Sequence, residues 1–273
     1  MADVFKSISE VDYEKTKWID TRFKLQDVQE GKRKYAESHV AGAIYWDLEE
    51  DLSDMTKREG RHPMPEKEAL TELFQKSGLS LDDSIIVYDD GGSPFAARAW
   101  WLLQYAGFKQ AFIAMEGFDM LQKSGIPVDN RLPKPLPTAV MPQWDETIYA
   151  SRQHVEQTVE GQTASHLLDA RSAARFRGEQ EPIDPIAGRI PGALNFDWEQ
   201  LKQRGIYRLD EAVKSELNQV VAPLEEVTVY CGSGVTAAPL YAMLKQHGYD
   251  KVRLYVGSYS DWISKDGNEV ERG

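Results

Sequence analysis

Val227-Thr228-Val229-Tyr230-Cys231-Gly232-Ser233-Gly234-Val235-Thr236-Ala237-Ala238-Pro239-Leu240-Tyr241-Ala242-Met243-Leu244 changes character at its middle. The first four residues are β-branched or aromatic and read as a buried strand. From Ala237 onward the residues read as a helix, and Pro239 is tolerated there only in a first turn. Between the two lies a short glycine-bearing loop headed by Cys231, the one cysteine in 273 residues. Strand, loop and helix together place a single thiol at a helix N-terminus, where free N–H groups and the helix dipole favour an anion. The thiolate is the nucleophilic form, and such a position lowers a cysteine's pKa from about 8.5 toward or below neutrality. A buried structural cysteine is the alternative. It would have no need of two glycines and two hydroxyls immediately downstream.

The same pattern occurs earlier in the chain. Ser84-Ile85-Ile86-Val87-Tyr88-Asp89 aligns with Val227 to Cys231, and Asp90-Gly91-Gly92-Ser93 aligns with Gly232-Ser233-Gly234. Both then enter a helix that ends at Gly107-Phe108 or Gly248-Tyr249, followed by Ala111-Phe112-Ile113 or Val252-Arg253-Leu254. Upstream, His39-Val40-Ala41-Gly42-Ala43-Ile44 matches Arg189-Ile190-Pro191-Gly192-Ala193-Leu194, and Trp18-Ile19-Asp20-Thr21-Arg22 matches Leu167-Leu168-Asp169-Ala170-Arg171. Five correspondences in one order define an internal repeat. Short apolar strands alternate with helical patterns such as Glu66 to Lys76 and Leu209 to Val220, which predicts an α/β fold with largely parallel sheets flanked by helices. Pro133, Pro135 and Pro137 recur at every second position and predict an extended, semi-rigid linker. We therefore expect a first domain over 10–129, a proline-rich linker over 130–146 and a second domain over 147–273. Ligands of parallel sheets bind beyond the carboxyl ends of the strands, where Cys231 falls. The twin position holds Asp89, so the first domain is expected to be catalytically inactive, either shaping the site or serving as scaffold.

The formal charge of −12 argues against a nucleic-acid partner, which requires a basic surface. No apolar run reaches the length of a membrane span, and the first ten residues carry no signal-peptide core. One cysteine cannot close an internal disulfide, so the expected setting is a reducing cytoplasm. A lone cysteine without histidines at ligand spacing predicts no metal, and no cofactor motif is present.

With the repeat and the Cys231-Gly-Ser-Gly-Val-Thr-Ala loop assembled, the chain resembles a tandem rhodanese-fold sulfurtransferase over roughly residues 10–130 and 160–270. The loop is similar to that of 3-mercaptopyruvate sulfurtransferases. Thiosulfate sulfurtransferases of the family carry basic residues directly after the cysteine and two positions further on, where this chain has neutral residues. The resemblance implies that Cys231 takes a sulfane sulfur from a small anionic donor, thiosulfate or 3-mercaptopyruvate, as a persulfide. An acceptor then removes it: cyanide, a small thiol or a protein thiol such as a thioredoxin-like protein. The loop residues Gly232, Ser233, Gly234, Val235 and Thr236 would surround the sulfur. Their N–H groups suit an anion, the Ser233 hydroxyl is a further donor, and Thr236 is expected to cap the helix.

Arg175, in Asp169-Ala-Arg171-Ser-Ala-Ala-Arg175-Phe-Arg177-Gly178, matches the family's substrate-binding arginine, with a guanidinium suited to bidentate capture of an anion. Asp169 and Arg171 read as a structural ion pair. The family's further arginine, nine residues on, is replaced here by Asp184. That departure leaves the donor open, with Arg177, Arg189 or an arginine of the first domain as substitutes. Arg61-His62-Pro63-Met64-Pro65 resembles a segment whose histidine approaches the loop serine. His62 is thus a candidate to tune Ser233, with Glu49 in the place of a companion aspartate, or else an exposed turn residue. His39 and His166 read as structural.

Cysteine phosphatases share the strand–loop–helix design but need an arginine six residues after the cysteine, where this chain has Ala237. The absence of a CxxC pair argues against a dithiol oxidoreductase. The remaining alternative is a non-catalytic or redox-sensing module of the same fold. The expected quaternary state is a monomer.

Overall fold

The computed structural model describes residues 3–273. Two five-stranded, all-parallel sheets carry the chain. The first consists of β1 (Phe5–Lys6), β2 (Thr16–Asp20), β4 (Ile44–Tyr45), β5 (Ser84–Tyr88) and β6 (Ala111–Ala114), in the order β1-β6-β5-β2-β4. A short antiparallel pair, β3 (His39–Val40) with β7 (Val128–Asp129), lies beside it. The second consists of β8 (Tyr149–Ala150), β9 (Ser165–Asp169), β10 (Leu194–Asn195), β13 (Glu226–Tyr230) and β14 (Val252–Tyr255), in the order β8-β14-β13-β9-β10. A two-residue ribbon, β11 (Lys202–Gln203) with β12 (Ile206–Tyr207), is inserted before β13. The two strand orders are identical, as the internal repeat predicts. β1 lies ahead of residue 10 and still forms the edge of the first sheet.

Each domain wraps its sheet with helices: α1 (Glu30–Glu37), α2 (Lys67–Lys76), α3 (Phe95–Tyr105) and α4 (Phe118–Lys123) in the first domain. The second has α5 (Arg152–Val159), α6 (Ala173–Phe176), α7 (Glu211–Asn218), α8 (Ala237–Gln246) and α9 (Ser258–Trp262). Most of these are amphipathic, but α3 and α8 are not. Ten of eleven residues of α3 and eight of ten in α8 are buried. A helix that is apolar on all sides must be covered on all sides. Here each helix packs its own sheet on one face and the other helix on the opposite face. Tyr241 of α8 meets Trp100 and Trp101 of α3 at ring-centroid distances of 6.1 and 6.4 Å. One continuous core therefore runs through both domains, and it fixes the loops before α3 and α8 relative to each other.

The duplication extends to side chains. Arg22 holds Asp20 through Nη2–Oδ2 at 2.6 Å and stacks on Phe118. Arg171 holds Asp169 at the same 2.6 Å and stacks on Tyr259. All four charged groups are buried, so the pairs clamp the carboxyl ends of β2 and β9. The segment after β7 has no regular structure up to residue 145, and Leu132 and Leu136 on it are exposed. Thr138 and Val140 anchor it to Gln75 and Leu79 at the end of α2.

Candidate active site

Cys231 leaves the carboxyl end of β13, the middle strand of the second sheet, and is 1% exposed. Its N–H donates to Ser258 Oγ at 3.0 Å, and the Ser258 hydroxyl stands 3.9 Å from Sγ. Ser258 opens α9 with φ of 57°, a strained value for a serine. The loop from Gly232 to Thr236 then turns back into α8. Gly234 has φ of +73°, and a Cβ there would collide with the Val256 carbonyl, so only glycine fits. Among the described residues, the N–H groups of Gly232, Ser233, Gly234, Val235 and Thr236 reach no protein acceptor. Five successive unpaired donors in a buried loop are a concavity for an anion.

The twin loop shows what such a concavity accommodates. Asp89 Oδ1 accepts from Gly91 N–H at 2.8 Å and its Oδ2 from Ala96 N–H at 3.0 Å. The first domain thus fills its own loop with a carboxylate where the second places a thiol. Burial pushes the Asp89 carboxyl up to about 7.

Two arginines flank Gly232. A Cβ at this glycine would collide with Arg61 Nη2 and stand 3.3 Å from Arg175 Nη2. Gly232 therefore makes room for a guanidinium supplied by the first domain, against the residue that follows Cys231. Asp184 joins the two cations: its Oδ1 accepts from Arg61 Nε at 2.9 Å and its Oδ2 from Arg175 Nη2 at 3.0 Å. Arg175 also donates through Nε and Nη2 to Glu181 at 3.1 and 2.7 Å. This corrects the expectation of a bidentate capture by Arg175, because its Nε–Nη2 edge is already committed to Glu181. Among the described residues its Nη1 meets no protein acceptor, and neither does Nη1 of Arg61.

His62 is buried, with Nδ1 2.9 Å from Ser233 Oγ. Burial, followed by the nearby Arg98 and Arg61, pushes its pKa down to about 4. The ring is neutral at pH 7 and can accept a hydrogen bond from the Ser233 hydroxyl. Of the two readings of His62, this is not an exposed turn residue. Glu49 lies 3.8 Å from His62 Nε2, beyond hydrogen-bond reach, and its carboxyl is raised by burial and by Asp47.

Other candidates lie elsewhere. Arg177 pairs with Glu179 in solvent. Arg189 is held by Glu271 and the carbonyls of Phe176 and Gly273. Neither is brought to Gly232; the first-domain arginine that reaches this glycine is Arg61. Thr236 does not cap α8: its backbone is already helical (φ −75°, ψ −10°) and its hydroxyl accepts no helix N–H. The sequence alone assigns no role to Ser258 or Arg98, and Arg61 falls only under the general expectation of a first-domain arginine. The discernible signal was an arginine inside the apolar run Phe95-Ala-Ala-Arg98-Ala-Trp-Trp101.

The rhodanese-like domain model matches residues 6–124 and 151–265. The chain therefore belongs to the rhodanese-like family, in its tandem two-domain form. A relative from Pseudomonas aeruginosa, provisionally named a 3-mercaptopyruvate sulfurtransferase, is 37% identical over 261 residues, covering 93% of this chain and 92% of its own. A Mycobacterium tuberculosis protein, provisionally named a thiosulfate sulfurtransferase (SseB), is 34% identical over 258 residues, covering 93% and 90%. The solved 3-mercaptopyruvate sulfurtransferase of Leishmania major superposes with a TM-score of 0.84 at 25% identity, covering 96% of this chain and 75% of that one. Within the family this chain is a sulfurtransferase. No helix among the described residues is long and apolar enough to cross a membrane.

Proposed function

We propose that the chain moves a sulfane sulfur from an anionic donor, thiosulfate or 3-mercaptopyruvate, through a Cys231 persulfide to a thiophilic acceptor. The observation that carries this reading is the run of five unpaired N–H donors around the sole thiol. In the twin loop the Gly91 N–H, at the position of Ser233, donates to the Asp89 carboxyl, together with the Ala96 N–H of the first helical turn. A persulfide is an anion and would occupy this concavity as Asp89 occupies the other.

In the first half-reaction the Cys231 thiolate attacks the terminal donor sulfur and an S–S bond forms. The donor's bond to that sulfur breaks, and its electron pair leaves with sulfite, or with the enolate of pyruvate, which then takes a proton. In the second, cyanide or a thiolate attacks the outer sulfur, and the electron pair returns to Cys231. Two covalent steps through one residue give ping-pong kinetics. Arg175, through Nη1, and Arg61 beside it supply the charge that anchors the donor. Neutral His62 orients Ser233, whose hydroxyl lies in the loop. Glu49 would act only by holding the second face of His62.

Intact mass after incubation with each donor tests the proposal. A gain of about 32 Da, removed by cyanide and absent in Cys231→Ser, is expected. No adduct with either donor at millimolar concentration refutes it. Measuring kcat/KM for the two donors side by side then ranks them.

A further inference from the structure

Four arginines are buried, and three are neutralised: Arg22 by Asp20, Arg171 by Asp169 and Arg189 by Glu271. The fourth, Arg98 in the first turn of α3, is 0% exposed and meets no carboxylate among the described residues. Its Nη2 donates to the Leu52 carbonyl at 3.1 Å and, weakly, to that of His62 at 3.5 Å. Nη1 reaches the Gly234 carbonyl at 3.5 Å. Nε has no hydrogen-bond partner among the described residues. A buried cation with only neutral acceptors is strongly disfavoured unless an anion faces it. The location suggests which anion. Gly234 belongs to the Cys231 loop and His62 holds Ser233; two groups favour the Arg98 charge when ionised, Cys231 first and then Tyr149, and burial raises the Tyr149 phenol so that it stays neutral where a thiol ionises.

We propose that Arg98 is the counter-charge of the Cys231 sulfur: a positioning residue of the first domain that stabilises the sulfur anion across the domain interface. The other groups around the loop leave this role open. Arg61 and Arg175 are compensated by Asp184 and Glu181, His62 is neutral, and Ser258 is uncharged. Arg98 is thus the uncompensated charge at the site. Its cost is offset when the thiolate or persulfide forms. The proposal rests on Cys231 being the reacting group, but its test needs no sulfur donor.

Cys231 is the only cysteine, so alkylation by iodoacetamide reports on it alone. The alkylation rate is followed against pH in the full chain for wild type, Arg98→Met, Arg98→Gln and Arg98→Lys, with thermal unfolding measured on each. Met matches the apolar volume, whereas Gln keeps a donor for the Leu52 carbonyl. In the uncharged variants the midpoint of the profile should rise by about one pH unit or more, a tenfold loss of thiolate on the rising limb. Lys should restore much of the shift. A merely structural role would lower the unfolding temperature and leave the midpoint in place. A midpoint within about 0.2 pH units of wild type in a folded uncharged variant overturns the proposal. So does loss of folding in both uncharged variants, which would assign Arg98 to stability. Failure of persulfide formation alongside a shifted midpoint would instead count against the sulfur-transfer reading alone.

Discussion

Replacing Asp89 and His62 one at a time should give opposite pH dependences of stability. Asp89 is 4% exposed and its carboxyl is pushed by burial from 3.8 up to about 7. Between these values the native state binds the proton more tightly than the unfolded chain. The Asp89 contribution is therefore fully present below about pH 4 and is lost as pH rises through 7. A difference of about three pH units is worth about 4 kcal/mol. His62, 6% exposed, is shifted from 6.5 down to about 4, first by burial and then by Arg98 and Arg61. Its contribution is fully present above about pH 6.5 and is lost as pH falls through 4, worth about 3 kcal/mol. In wild type the two slopes oppose each other across pH 4–6.5. Urea unfolding, followed by tryptophan fluorescence at pH 4.5 and 7.5, separates them. The stability of wild type minus Asp89→Asn should fall between the two pH values, and that of wild type minus His62→Asn should rise. Differences that stay flat within about 0.5 kcal/mol for both variants would refute the assignment of these groups.

Arg175→Ala should raise donor KM about 10- to 100-fold, the loss of a charge-assisted hydrogen bond, and leave cyanide attack on preformed persulfide nearly unchanged. Comparable losses in both half-reactions would contradict an anchor role. Asp184→Asn removes a negative charge shared by Arg61 and Arg175, so kcat/KM for an anionic donor should rise and become more sensitive to salt. An unchanged kcat/KM would show that the bridge does not limit binding. Gly234→Ala forces a side chain into φ of +73° against the Val256 carbonyl, and should cost at least about 1–2 kcal/mol, read as a lower unfolding temperature, with loss of activity. Gly232→Ala displaces the tip of Arg61 instead, so the fold should persist while donor KM rises several-fold.

The fold was legible in the sequence where its signals are local. The strands Ser84–Tyr88 and Glu226–Tyr230 fall on β-branched runs, Pro239 falls in the first turn of α8, and the internal repeat reappears as two sheets of one strand order. The thiol could be placed at the end of a strand for the same reason. What was not legible depends on the packing of α3 against α8. That packing brings Arg61 to Gly232 and turns Asp184, 123 positions away, into the acceptor that joins Arg61 to Arg175. Arg98 sits in an apolar run whose periodicity gives no reason for a charge, and its meaning appears only when the second domain's loop covers it. The Thr236 cap failed because the third helical position is Pro239, which has no N–H, and the Ala238 N–H already donates to the Val235 carbonyl.

A chain with one thiol has no internal exit for its cargo. Cys231 has no second cysteine to form a disulfide with, and the residue is only 1% exposed. Under the persulfide route, donor and acceptor must meet the same sulfur in turn, so each becomes a competitive inhibitor of the other's step at high concentration. The enzyme would then work as a single-slot relay, whose throughput depends on the balance of the two reactants and not on the abundance of either.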